Sequence, residues 1–141
     1  MMEDYWSVMD RCEELAKQAE AKGNRPNGSV IMLGGEIIAE AEESAHTNED
    51  VSYHAEMEVI RKARKILGKD MSRSILITNH EPCVMCSYAI RYHRIGTVVF
   101  KERARYLGGD GNYHILTTRN VPAAWGAPVR VVHLKNRKVN S

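Results

Sequence analysis

The sequence predicts a three-layer α/β/α fold on a mixed sheet of about five strands, and the order of its segments carries that reading. An amphipathic segment opens the chain, a hairpin follows, and strand-like apolar runs then alternate with helix-like ones, so part of the sheet is antiparallel and part parallel. The 141 residues are 43% hydrophobic and 27% charged, which suits one core and excludes a second large domain. No internal repeat, low-complexity tract or Ser/Pro-rich linker divides them. Residues 1–141 are therefore expected to form a single domain.

Each element has its own signal. From Glu3 to Lys22, Tyr5, Met9, Cys12, Leu15, Ala16 and Ala19 recur at helical intervals, and Gly23-Asn24 stops the helix. Gly28 to Leu33, the turn Gly34-Gly35, and Glu36 to Ala41 read as a β-hairpin, followed by a polar loop from Glu42 to Ser52. Tyr53 to Leu67 is helical, with Ala55, Val59, Ala63, Ile66 and Leu67 on one side and Glu58 spaced to pair with Lys62. Gly68 ends it. Ser74 to Thr78 suits a buried strand, Pro82 to His93 a helix and Thr97 to Phe100 another strand. A weakly helical stretch around Tyr113 to Thr118 precedes a last strand, Val129 to Leu134.

Charge and composition narrow the function classes. Twenty Lys and Arg against eighteen Asp and Glu leave a net charge of +2, too balanced to mark a nucleic-acid binder or a polybasic membrane anchor. Apolar runs such as Val30-Ile31-Met32-Leu33 fall far short of the roughly 18 residues that cross a bilayer. The acidic start, Met1-Met2-Glu3-Asp4-Tyr5-Trp6, lacks a secretory pattern, so a soluble cytoplasmic protein with no membrane partner is expected. Three cysteines do not make a disulfide framework. Cys12 falls on the apolar stripe of the first helix and reads as core, while Cys83 and Cys86 form a Cys-x-x-Cys.

Two short motifs carry the chemistry: His54-Ala55-Glu56 at the start of the second long helix, and Pro82-Cys83-Val84-Met85-Cys86 at the start of the third. Cys83 and Cys86 are one helical turn apart, so their sulfurs can converge on one ion, and a helix N-terminus favours the thiolate a metal needs. His54 supplies a third ligand if the two helix starts adjoin. Two sulfurs and an imidazole are a zinc-type donor set, and three protein ligands leave a fourth position for water. Zinc lowers the pKa of such water toward ~7, and Glu56, two residues from the histidine, is placed to move its proton to a leaving group. Either motif alone has other readings: His-x-Glu is a frequent tripeptide, and Cys-x-x-Cys also suits a redox pair or half of a structural zinc site. A catalytically silent zinc module is the reading from another class. It predicts a fourth protein ligand or an occluded zinc, and no third cysteine lies nearby to supply the ligand.

Together and in this order, the motifs resemble those of the cytidine/deoxycytidylate deaminase superfamily, most closely its bacterial tRNA adenosine deaminase and guanine deaminase branch. The resemblance runs from the first helix through Phe100. It is carried by His54-Ala55-Glu56-Met57, Glu81-Pro82-Cys83-Val84-Met85-Cys86 and Arg94-Ile95-Gly96-Thr97-Val98-Val99-Phe100. It implies a cytidine deaminase-like fold, a zinc cofactor on His54, Cys83 and Cys86, and Glu56 as proton shuttle. It also implies backbone amides of Ala55 and Cys83 that position substrate, and a base pocket lined by Pro26-Asn27-Gly28-Ser29-Val30. Members of this branch commonly form homodimers, which is the expectation here. The implied activity is hydrolytic release of ammonia from a nucleobase, nucleoside or related amino-heterocycle, with water as co-substrate. Adenosine-to-inosine deamination in tRNA is the alternative.

Several features bear on the substrate. Where the family carries asparagine, eleven positions before the zinc histidine, this chain has Glu43. A carboxylate accepts hydrogen bonds but cannot donate them, so in the pocket Glu43 favours a ring presenting an N–H, an amino group or a positive charge. The competing reading is a loop shifted in register, with Glu43 facing solvent and Asn48 or His46 in its place. His80, close to the cysteines, is a candidate for substrate contact; His46, His93, His114 and His133 read as surface or core residues. Lys101 to Arg105 reads as a solvated charge run. In tRNA-acting relatives a helix after the last strand helps to hold the anticodon loop, whereas here seven residues follow Leu134, which with the weak charge favours a small heterocycle over nucleic acid. Tyr106, Tyr113 and Trp125, within Arg105 to Ala127, either stack over such a ring or pack the sheet edge.

Overall fold

A computed structural model describes residues 4–137. The expected helix start at Glu3, the leader region at Met1-Met2 and the end of the tail, residues 138–141, lie outside the described residues.

Helix α1 (Tyr5–Ala21) begins where the Asp4 carboxylate accepts the N–H groups of Trp6 and Ser7. Its buried stripe, including Met9, Cys12 and Leu15, packs on Val30, Met32, Ile77 and Val99 of the sheet. The five strands are β1 (Gly28–Leu33), β2 (Glu36–Glu42), β3 (Ile75–His80), β4 (Thr97–Glu102) and β5 (Arg130–His133), in the order β2-β1-β3-β4-β5. β1 is antiparallel to both β2 and β3, while β3, β4 and β5 are parallel. The other face is covered by α3 (Ala55–Leu67) and α4 (Val84–Tyr92), which bury Val59, Ile60, Ala63 and Ile90 against Ile31, Leu76, Val98 and Phe100. The predicted three layers and mixed sheet are thus present.

This topology positions the site. β2 and β3 run in the same direction because each is antiparallel to β1, so the helices that follow them, α3 and α4, both start at one sheet edge. The carboxyl edge of a parallel sheet is where such folds place their ligands.

Some expectations are corrected. The loop after β2 contains a short helix, α2 (Ala45–Asn48), and a 3-10 turn at Val51–Tyr53. Asn24 pins α2 by exchanging two hydrogen bonds with Thr47, of 2.8 and 2.9 Å. Tyr113 to Thr118 forms turns instead of a helix, because its backbone is committed elsewhere. Buried Arg91 takes the carbonyls of Ile115, Leu116 and Thr118, and the Leu116 N–H goes to Gly109. A short 3-10 turn lies instead at Ala123–Trp125. On α3, Ile60 is buried and Ile66 is exposed, and Glu58 pairs with Arg61 while Lys62 donates to the Glu40 carbonyl. Strands β3 and β4 run two residues past their expected ends, to His80 and Glu102. No helix among the described residues is long and apolar enough to cross a membrane.

Candidate metal centre

α3 and α4 each begin one residue after a metal-type ligand. His54 and Cys83 occupy the N-cap positions, and Cys86 lies within the first turn of α4. The His54 Nδ1 atom lies 3.7 Å from the Cys83 sulfur and 3.5 Å from the Cys86 sulfur, and the three ligand atoms all fall within 4.8 Å of one another. A tetrahedral zinc with Zn–N of about 2.0–2.1 Å and Zn–S of about 2.3 Å requires N···S separations of about 3.6 Å. The donor set therefore fits zinc in both chemistry and spacing, and His54 offers it Nδ1.

An N-cap residue ordinarily satisfies the first amides of its helix with its own side chain, and neither His54 nor Cys83 does. Other segments take over. At α3 the Ala55 N–H donates to Glu43 Oε1 at 3.1 Å. At α4 the Val84 N–H donates to the Leu107 carbonyl at 2.9 Å, and the Gly109 N–H returns a bond to the Pro82 carbonyl at 2.8 Å. Both ligand side chains are thereby left free to point at the centre.

The electrostatics suit a cation. A hydrogen bond from Cys86 holds the Cys83 thiol down to about 4 against the effect of burial, with help from His54. The anion at Cys83, together with burial, pushes Cys86 well above the ordinary thiol value, so one thiolate forms readily and a cation is needed for both. The hydrogen bond to Cys83 raises His54. Glu56 is buried, and that burial raises its carboxyl to about 7, the range in which a group can both take and give a proton near neutrality. Thr78 Oγ1 donates to Glu56 Oε2 at 3.1 Å.

The remaining expected residues fall in different places. Glu43 is buried beside His54, Cys86 and Glu56, all of which feel its charge. The solvent-facing alternative is overturned, since it is His46 and Asn48 that are exposed, Asn48 donating to the Ser44 carbonyl. The Ala55 amide, expected to face substrate, is engaged by Glu43. Asn27 accepts the Glu43 N–H on its carbonyl and, with His80, Asn79, Arg25 and Pro26, lines a cleft of about 440 Å³. Trp125 sets its ring edge-on to Tyr88 and Tyr92 of α4 at 5.0 and 5.7 Å. Tyr106 and Tyr113 are exposed. Cys12 is buried in the core, as expected.

Other participants have roles that their local sequence does not announce. Glu81 is buried and accepts the N–H groups of Ala104, Asp110 and Gly111 at 3.0, 3.0 and 2.8 Å, with Arg103 at 3.3 Å. The Lys101 to Arg105 run is therefore not merely solvated: Arg103 also pairs with Asp110 at 2.8 Å, and Lys101 with Glu13 at 2.5 Å. A side chain at Gly108 would collide with the Glu81 carboxylate, and one at Gly109 with Ser87, which is why this loop can lie against α4. Asn79 accepts the Gly28 N–H and donates to the Pro26 carbonyl, both at 2.9 Å, fixing the segment that carries Asn27.

Comparison with known proteins agrees with this geometry. The family model for the cytidine and deoxycytidylate deaminase zinc-binding region matches residues 2–102. The tRNA-specific adenosine deaminase of Bacillus subtilis (strain 168) is 43% identical over 101 residues, covering 71% of this chain and 62% of that protein. Guanine deaminase of the same strain is 43% identical over 76 residues, covering 53% and 49%. A structure solved in a study of A-to-I editing by tRNA:A34 deaminases superposes with a TM-score of 0.79 at 26% identity, covering 89% of this chain and 95% of that one. The chain spans about three fifths of the length of the Aquifex aeolicus and Bacillus subtilis tRNA-specific adenosine deaminases and about half of the guanine deaminase.

Proposed function

Because the chain belongs to the cytidine and deoxycytidylate deaminase zinc-binding family, we propose that it is a hydrolytic deaminase of an amino-substituted heterocycle. The observation that carries this is the convergence of His54 Nδ1 on two thiol sulfurs at the same sheet edge as buried Glu56. Zinc bound by His54, Cys83 and Cys86 supplies Lewis-acid activation of water at neutral pH. Glu56 takes a proton from the attacking water and delivers it to the exocyclic amine nitrogen. A C–O bond forms at the ring carbon, the C–N bond breaks, and ammonia leaves with that proton. The roles of His54, Cys83, Cys86 and Glu56 belong to this proposal.

Glu43 narrows the substrate. One of its oxygens holds Ala55, and among the described residues no side chain bonds the other. A carboxylate there selects rings that donate, through an N–H, an amino group or a positive charge. Asn27 and His80, which line the 440 Å³ cleft together with Glu13, Lys101 and Glu102, are the other proposed substrate contacts. An ammonia-release screen over purines, pyrimidines, their nucleosides, pterins and triazines tests the reading with wild type, Glu56→Ala and Glu43→Asn. Glu56→Ala is expected to keep zinc and lose nearly all turnover, and Glu43→Asn to shift preference toward common nucleobases. Unchanged turnover in Glu56→Ala overturns the assigned roles, and unchanged preference in Glu43→Asn removes Glu43 from the pocket.

The similarity to tRNA-specific adenosine deaminases favours a second reading, deamination of adenosine in tRNA. Inosine formed on incubation with tRNA, with steep salt dependence, is its expected result; no inosine eliminates it. We place the single domain in the cytoplasm as a homodimer, for which Tyr88 and Tyr92, both more than half exposed, offer apolar area. Light scattering showing only monomer removes the dimer.

A further inference from the structure

We propose that Thr78 is a positioning residue for the proton shuttle: with Ser29 behind it, its hydroxyl fixes the rotamer in which Glu56 serves the centre. This rests on the deaminase reading of Glu56. Ser29 and Thr78 face each other across the antiparallel pair β1–β3, and their register alone brings the two hydroxyls together. Both are fully buried. Ser29 Oγ donates to Thr78 Oγ1 at 2.8 Å, which commits the serine proton to threonine and leaves threonine one proton of its own. Its two acceptors are Glu56 Oε2 at 3.1 Å and the Gly28 carbonyl at 3.4 Å, and the carboxylate is the nearer.

The setting explains why the contact orients Glu56 as well as satisfying it. Phe100 pairs with Thr78 on the neighbouring strand and Leu76 precedes it by two residues on the same face, both without solvent exposure, so the hydroxyl pair is closed off from water. Buried polar atoms in such surroundings are held by their partners, because leaving one without a partner costs about 1–3 kcal/mol. Thr78 engages Oε2 only, and among the described residues no other side chain bonds Oε1. Thr78 thus holds Glu56 at one oxygen and leaves the other without a side-chain partner, the arrangement a proton carrier needs. Ser29 fixes the threonine in turn, so the orientation is set by two strands instead of one flexible side chain.

Thr78→Val keeps the shape and removes the hydroxyl, Thr78→Ser restores it, and Glu56→Ala is the control for the deaminase reading. Zinc content, thermal melting and a crystal structure are measured for each zinc-loaded protein, together with kcat and KM on guanine, adenosine, a pterin and a triazine as probes. Thr78→Val is expected to bind zinc normally, to show the Glu56 carboxylate turned from its wild-type rotamer, and to lose about 10- to 100-fold in kcat with KM nearly unchanged. Thr78→Ser is expected to recover the rotamer and most of the rate. Glu56 unmoved in Thr78→Val, or turnover unchanged by it, overturns the inference. Turnover unchanged by Glu56→Ala, or absent from wild type on every probe, counts instead against the reading beneath it, and the Glu56 rotamer in the Thr78→Val structure then decides the positioning role alone.

Discussion

The starts of α3 and α4 each place a ligand-bearing residue where a capping residue ordinarily stands, and they compensate differently. α3 borrows one carboxylate, Glu43, which bonds the Ala55 amide from within the site. α4 borrows a loop, residues 103–112, whose Leu107 carbonyl bonds Val84 and whose backbone is gathered by buried Glu81. A ligand at an N-cap displaces the cap, and the location of the replacement decides its second use. Glu43 sits beside His54 and Glu56, where the proposed function has it read substrate. Glu81 faces the loop and braces the Cys83 end.

The comparison can be broken at several levels. The largest expected effect falls on both starts alike: His54→Ala and Cys83→Ser each lose stoichiometric zinc by elemental analysis, together with ammonia release. A variant that keeps full zinc removes its residue from the ligand set. Next comes Glu81→Ala, which strips partners from three amides and from Arg103 and is expected to cost about 3–5 kcal/mol in urea unfolding. Glu43→Ala removes one cap and is expected to cost about 0.5–2 kcal/mol while changing substrate preference. Equal losses in the two variants, or a preference change in Glu81→Ala alone, would erase the distinction.

A pH titration of stability sharpens it further. Burial pushes the Glu81 carboxyl up, but its three backbone bonds and Arg103 outweigh this and hold it below the ordinary 4.5. A depressed carboxylate stabilises in full above that ordinary value and loses the contribution as pH falls through its lowered one. Glu81→Gln is therefore expected to flatten the acid limb of the unfolding curve below about pH 4.5. An acid limb identical to wild type would show that Glu81 carries no such linkage. Gly109→Ala, which crowds Ser87, is expected to cost about 1–3 kcal/mol without altering substrate preference.

The residues of the candidate metal centre were legible because their spacing is local: one residue separates His54 from Glu56, and one helical turn separates Cys83 from Cys86. The sheet was legible because the hairpin and the strand–helix alternation leave few topologies. What supports the site was not, because it depends on register and long-range contact. Ser29 and Thr78 meet across 49 residues of chain, and in sequence Thr78 reads only as a strand former. Glu81 was visible within the cysteine motif, yet its partners lie 22 to 30 residues on, in a loop read as surface charge. The helical pattern at Tyr113 to Thr118 failed because Arg91, a residue of another element, claims its carbonyls. Trp125, read as either stacking over a ring or packing the sheet edge, sets its ring edge-on to Tyr88 and Tyr92 of α4.

The most direct test of the central claim is X-ray absorption at the zinc edge of the purified, zinc-loaded protein. Ligation by His54, Cys83 and Cys86 predicts two sulfur scatterers at about 2.3 Å and two nitrogen or oxygen scatterers at about 2.0 Å per zinc, the second being a non-protein oxygen. Glu56→Ala is expected to leave that spectrum unchanged. A shell of one sulfur, or of three or four, or no bound zinc at all, would contradict the account.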